Sequence, residues 1–245
     1  KMVLIYGATG CGKTTSIIQT TPLPALLIVT EPRNPKISLR ASGRIISDGQ
    51  LDIVTDYKWE ELMKMFSEYE NVKKYKIIII DSISYLMGVD LSGEIEDEIF
   101  ENIDDGKKSI KTLVTSSKLT LEGYGTVSNQ MQRLIKLLGK LVKNNGINIV
   151  LTALTQEHPK YNREISVAPL LVGRQFPNQL PGFLDLIGFV ETRVNAENKI
   201  IYPPICWFES PNNSFTAKFT GPRPDVDCVR IPLNLNTILG IKNEK

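Results

Sequence analysis

Gly7-Ala8-Thr9-Gly10-Cys11-Gly12-Lys13-Thr14 decides how the rest of the chain is to be read. The stretch fits G-x-x-x-x-G-K-[ST]; it follows the apolar run Met2-Val3-Leu4-Ile5-Tyr6 and precedes a helix that continues from Thr15 to Thr20. Strand, glycine-rich turn and helix, in that order, are what a phosphate-binding loop requires. Gly7, Gly10 and Gly12 let successive backbone N–H groups face one anion at the helix N-terminus. Lys13 is expected to reach the β- and γ-phosphates as a point charge, and the Thr14 hydroxyl to ligate Mg²⁺. Gly7, Ala8, Thr9, Gly10, Cys11, Gly12, Lys13, Thr14 and Thr15 are therefore the predicted nucleotide-contacting residues. Cys11 fills a free position of the loop and needs no redox role.

Outward from the loop, Pro22 and Pro24 end the first helix, and Ala25-Leu26-Leu27-Ile28-Val29-Thr30 reads as a buried parallel strand. Glu31 is the first residue past it. Ligands lie at the carboxyl ends of strands in parallel α/β sheets, so Glu31 should emerge beside the loop, where a carboxylate can orient and deprotonate an attacking water. The competing reading makes Glu31 a solvated residue opening the polar run Pro32-Arg33-Asn34-Pro35-Lys36.

Ile77-Ile78-Ile79-Ile80-Asp81 has the form of a Walker B strand, whose acid holds magnesium. A loop that grips phosphate and an Asp that grips metal are expected to end adjacent strands of one sheet. Between these strands, Leu51 to Val54 reads as a short strand, and Trp59, Leu62, Met63, Phe66 and Tyr69 recur at helical spacing as a core stripe.

From Gly88 to Gly125 the periodicity fades, with acidic residues from Glu94 to Asp105 and then Lys107, Lys108, Lys111 and Lys118. A connection this long is functional or mobile. Val127 to Val142 then follows helical spacing up to Asn144-Asn145-Gly146, a C-cap sequence. Ile147 to Leu154 is another buried strand with Thr155-Gln156 at its end. Gln156 is placed to report the γ-phosphate to the next loop. That loop, Glu157 to Gln175, carries His158, Lys160, Tyr161, Arg163 and Arg174. Cations with an interleaved aromatic suit single-stranded nucleic acid, and an ordinary charged surface loop is the other reading. Asp185 to Val194 and Lys199 to Phe208 read as a hairpin around Asn195-Ala196-Glu197-Asn198, with Pro203-Pro204 confining the second strand to an edge, and Ser214 to Phe219 reads as a further strand.

The chain has 245 residues, 42% hydrophobic and 23% charged, the composition of one large α/β domain. No apolar run reaches membrane-spanning length. Three distant cysteines, Cys11, Cys206 and Cys228, suit a reducing cytoplasm and indicate neither a disulfide framework nor a zinc site. A formal charge of +2 makes no global case for nucleic acid, so any such contact must be local. The first strand starts at once, which fits a bare core or a core cut from something longer.

Together these elements resemble the RecA/RadA class of ATPase cores. The matching features are the phosphate loop, Thr30-Glu31, Ile80-Asp81-Ser82, the long helix, and Thr155-Gln156 before a basic loop. Tyr124-Gly125, Pro169 to Arg174 and Leu180 to Asp185 make the chain similar to short phage-encoded cores linked to single-strand annealing and recombination. The resemblance implies a RecA-like α/β fold over residues 1–245, a mainly parallel sheet flanked by helices and extended by late antiparallel strands. It implies a Mg²⁺-dependent ATPase with Glu31 as catalytic base, Lys13 on the phosphates, Gln156 as γ-phosphate sensor, and Thr14 and Asp81 at the metal. Residues 88–125 and 157–175 would be DNA loops, with Lys160, Tyr161, Arg163 and Arg174 as contacts. A homo-oligomer would place ATP near the subunit interface, with Lys218 or Arg223 as the cation supplied in trans. The resemblance does not extend to the N-terminal domain and polymerisation segment of full recombinases, which argues against an expectation of stable filaments, and the first half of the first DNA loop is acidic. Alternatives are a nucleotide-gated assembly module, a helicase or packaging motor, and a P-loop kinase.

Overall fold

The computed structural model describes residues 1–95, 114–115, 118–119, 121–159, 165–221 and 229–241. The first half alternates strand and helix: β1 (Met2–Gly7), α1 (Lys13–Thr20), β2 (Ala25–Val29), α2 (Pro35–Ala41), β3 (Leu51–Val54), α3 (Trp59–Ser67), α4 (Tyr69–Val72) and β4 (Ile77–Asp81). A short helix α5 (Ile83–Tyr85) runs into a π-helical turn, Leu86–Asp90. Then come β5 (Val114–Thr115), β6 (Lys118–Leu119), the 25-residue helix α6 (Leu121–Asn145), β7 (Asn148–Ala153), β8 (Thr155–Pro159) and β9 (Ile165–Pro169). The last part holds α7 (Gln175–Phe183), β10 (Leu186–Val194), β11 (Ile200–Trp207), β12 (Arg230–Pro232) and α8 (Leu235–Leu239).

Eight strands form one sheet in the order β12-β11-β10-β1-β7-β4-β2-β3. All pairings from β3 to β10 are parallel, and β10·β11 and β11·β12 are antiparallel. Parallel neighbours need crossovers, and the helices that supply them cover both faces. That is why β4 is four isoleucines in succession rather than an alternation. Ile78 and Ile80 face a core made with α3 and α6, whereas Ile77 and Ile79 face a second core made with α1 and α8. β1 divides in the same way, with Leu4 and Tyr6 on the first face and Val3 and Ile5 on the second. The fold is thus the mixed α/β sheet expected, with its late antiparallel extension.

Several local expectations change. The phosphate loop and Asp81 do not end adjacent strands, because β7 pairs with both β1 and β4 and lies between them. Ser214 to Phe219 is not a strand; only single bridges, Val167 to Phe215 and Ile187 to Lys218, join it to its neighbours. β11 is not wholly an edge either: Ile205, Cys206 and Trp207 pair with β12, past the two prolines. Helix α6 already begins at Leu121, so Tyr124 and Gly125 lie in its first turns and not in a loop. The aromatic stripe of α3 is core at Trp59, Leu62 and Phe66, but Tyr69 is exposed. Asn145 ends α6 as expected, with Gly146 at φ +70°.

Candidate nucleotide-binding site

Because β1, β4, β2 and β7 are parallel, their carboxyl ends open on one edge of the sheet. Tyr6 is level with Ala153, and Val29 with Asp81. One cleft at this edge is lined by the loop residues Thr9, Gly10, Gly12, Lys13, Thr14 and Thr15, with Glu31, Arg33, Ser38, Asp81, Leu154 and Tyr202. Four elements distant in sequence thus deliver their polar residues to one place.

The loop's glycines are needed on two separate grounds. Gly7 passes so close to β10 that a Cβ would lie 2.8 Å from the Val190 carbonyl oxygen. Gly12 has φ +87°, and a Cβ there would lie 2.7 Å from the Tyr202 ring. With this backbone, α1 starts at Lys13, so its unpaired N–H groups open toward the cleft. Lys13 is buried, and its ammonium donates to the carbonyls of Gly7 at 2.7 Å and Ala8 at 2.9 Å. The charge is therefore held directly above the loop.

On the other side of the cleft, Thr14 Oγ1 donates to Asp81 Oδ2 at 2.8 Å. Asp81 is almost fully buried, and its Oδ1 accepts from the Thr152 hydroxyl of β7. The strand that separates the loop from Asp81 therefore also fixes Asp81. The ends of β2 and β4 are tied together by Thr30: its N–H donates to the Asp81 carbonyl at 3.0 Å. Its hydroxyl donates to the Ser82 carbonyl at 2.7 Å and accepts from the Ser82 N–H at 2.8 Å. Glu31 follows directly and enters the cleft, where its Oε2 lies 2.9 Å from Arg33 Nε. Arg33 Nη2 also donates to Thr14 Oγ1 at 2.7 Å and to Asp81 Oδ2.

A hydroxyl and a buried carboxylate meeting beside a lysine-capped glycine loop make an oxygen donor set suited to Mg²⁺ and a cationic cradle suited to phosphate. Thr14 and Asp81 fit the metal, and Lys13 with the loop fits the phosphates.

The remaining sequence-predicted residues are distributed differently. Gln156 does not line this cleft; Leu154 does, and the Gln156 amide donates to the Pro169 carbonyl at 2.8 Å across β8–β9. It lines an adjoining cavity that reaches Ala8 and Cys11 from behind the loop. The Lys218 ammonium donates to the Pro181 and Leu184 carbonyls at 2.8 and 2.5 Å, at the C-terminal end of α7. Arg174 is exposed at the N-cap of α7. Lys160, Tyr161, Arg163 and Arg223 lie outside the described residues.

Sequence reasoning missed Thr152, Arg33 and Tyr202. Thr152 had a signal, a lone hydroxyl in an apolar strand one residue from its end. Arg33 lies two residues past Glu31 in a run that reads as an ordinary polar loop. Tyr202 reaches the cleft only through the pairing of β11 with β10.

A glycine loop after β1, a helix starting on Lys13-Thr14, and a metal-type acid two strands away define a P-loop NTPase core. A family model described as an AAA domain matches residues 1–218. The chain belongs to that family. No curated protein matches it. Among the described residues, no helix is long and apolar enough to cross a membrane.

Proposed function

We propose that the chain is a Mg²⁺-dependent ATPase of RecA-like type, acting on single-stranded DNA in recombination or strand annealing. The observation that carries the ATPase reading is the 2.8 Å contact between Thr14 Oγ1 and Asp81 Oδ2 in the cleft that also holds Lys13 and Glu31. Thr14 and Asp81 would hold Mg²⁺, which when bound neutralises charge on the phosphate oxygens. Lys13 and the loop N–H groups bind the phosphates and stabilise charge that develops during transfer. Glu31 orients the attacking water and accepts its proton. The contact with Arg33 uses Oε2, which leaves Oε1 for the water.

The DNA part rests on the resemblance and on where the next loop starts. β8 and β9 leave the sheet edge directly after β7, and Gln156 spans the base of this hairpin. The connection between them carries Lys160, Tyr161 and Arg163, a cation and aromatic set matched to phosphates and unstacked bases. We read residues 1–245 as one domain that works as a homo-oligomer with ATP near the subunit interface.

Steady-state ATP hydrolysis with Mg²⁺, with and without single-stranded DNA at two salt concentrations, tests the reading. Expected is hydrolysis stimulated by DNA, with the stimulation fading as salt rises. Turnover indifferent to DNA would overturn the DNA part and favour a nucleotide-gated assembly module or a kinase.

A further inference from the structure

The Arg33 guanidinium is where the two acids of the cleft meet. Its Nε lies 2.9 Å from Glu31 Oε2, and its Nη2 donates to both Thr14 Oγ1, at 2.7 Å, and Asp81 Oδ2. The Thr14 hydroxyl hydrogen is already directed at Asp81 Oδ2, so the Thr14 oxygen meets Arg33 with its lone pair. That lone pair and Asp81 Oδ2 are the electron donors a divalent cation would take from this pair of residues. The chain's own guanidinium engages both of them.

Burial explains the arrangement. The Asp81 side chain is 3% exposed, and a carboxylate so placed is costly without an opposite charge. Thr152 offers it a neutral donor; Arg33 offers the charge. Arg33 itself is 36% exposed, on the turn between β2 and α2, so solvent is open to its side chain. The planar fork matters too: a guanidinium presents separate nitrogens to Glu31 and Asp81, which a single ammonium cannot do in the same way. Since the Glu31 contact uses Nε and the Asp81 contact uses Nη2, release of one does not by itself require release of the other.

We infer that Arg33 is an internal competitor for the metal site. It neutralises Asp81 until a divalent cation takes Thr14 and Asp81 from it, and so sets how much Mg²⁺ the protein needs. This rests on the reading of Thr14 and Asp81 as the metal-holding pair.

The test is a binding measurement on the full chain. A fluorescent, non-hydrolysable ATP analogue is held at fixed concentration, Mg²⁺ is titrated, and the half-maximal Mg²⁺ concentration is read for wild type, Arg33→Lys and Arg33→Met. Arg33→Met should need about two- to fivefold less Mg²⁺, the scale set by removing one partly exposed ion pair, with Arg33→Lys between it and wild type. An equal requirement in all three proteins overturns the inference and leaves the metal pair standing. A higher requirement in Arg33→Met also overturns it, making Arg33 a support of the site. Analogue binding that ignores Mg²⁺ in every protein removes the metal reading of Thr14 and Asp81, and this inference with it.

Discussion

The two sides of the cleft are built differently. On the side of β4 and α1, Asp81 is gripped by side chains from three separate segments: Thr14, Thr152 and Arg33. On the side where hairpins leave the sheet, the Gln156 amide lies behind the loop and outside the cleft, donating to the Pro169 carbonyl, and Tyr202 stands 56% exposed over Gly12. A polar group at the end of a core strand is fixed by its neighbours whatever the surface does. A group on a hairpin is only as fixed as that hairpin. The first side is suited to holding phosphate and metal; in the proposed function the second passes a signal outward.

Substitutions on the two sides should therefore separate. Gly12→Ala carries the largest expected effect on ATP affinity short of removing the lysine. Its φ of +87° strains any residue that carries a Cβ, and a methyl group there would lie 2.7 Å from the Tyr202 ring. A strain of order 1–3 kcal/mol is expected to weaken ATP affinity by about 5- to 150-fold in equilibrium titration. Near-normal affinity would show that the loop can rebuild around a methyl group.

Glu31→Gln should split binding from chemistry. ATP affinity stays close to wild type, while turnover falls by about 100-fold or more, the usual contribution of a general base. Single-turnover hydrolysis checks this, and unchanged turnover removes Glu31 from the mechanism.

Gln156→Ala is expected to have the smallest effect on the nucleotide. ATP affinity should stay within about twofold, as for a site away from the contact, while any DNA-dependent increment in hydrolysis is lost. A drop in ATP affinity as deep as that of Gly12→Ala would put Gln156 in the nucleotide site itself and erase the contrast between the two sides.

The same contrast marks what could be read in the sequence. Unbroken apolar strands with a polar residue at the carboxyl end are legible, because sheet topology carries every such end to one edge. Lys13, Thr14, Glu31 and Asp81 all lie where that logic places them. Strand order is not contained in a single strand, so the insertion of β7 between β1 and β4 was missed, and with it Thr152. Arg33 went unread because a loop arginine has no periodicity to mark which way it turns. The pairing of β10 with β11 was legible from the turn at Asn195 to Asn198, but not the consequence that Tyr202 would reach Gly12. Ser214 to Phe219 has the composition of a strand, yet its backbone makes only isolated bridges, a case where tertiary context overrides local preference.

The cleft around Lys13 has the form of a nucleoside triphosphate site. Calorimetric titration of ATP with Mg²⁺ into wild type and Lys13→Ala tests it most directly. Expected are one site per chain in wild type and a loss of at least about 100-fold in affinity when the loop's charge is removed. Equal ATP binding by both proteins would contradict it.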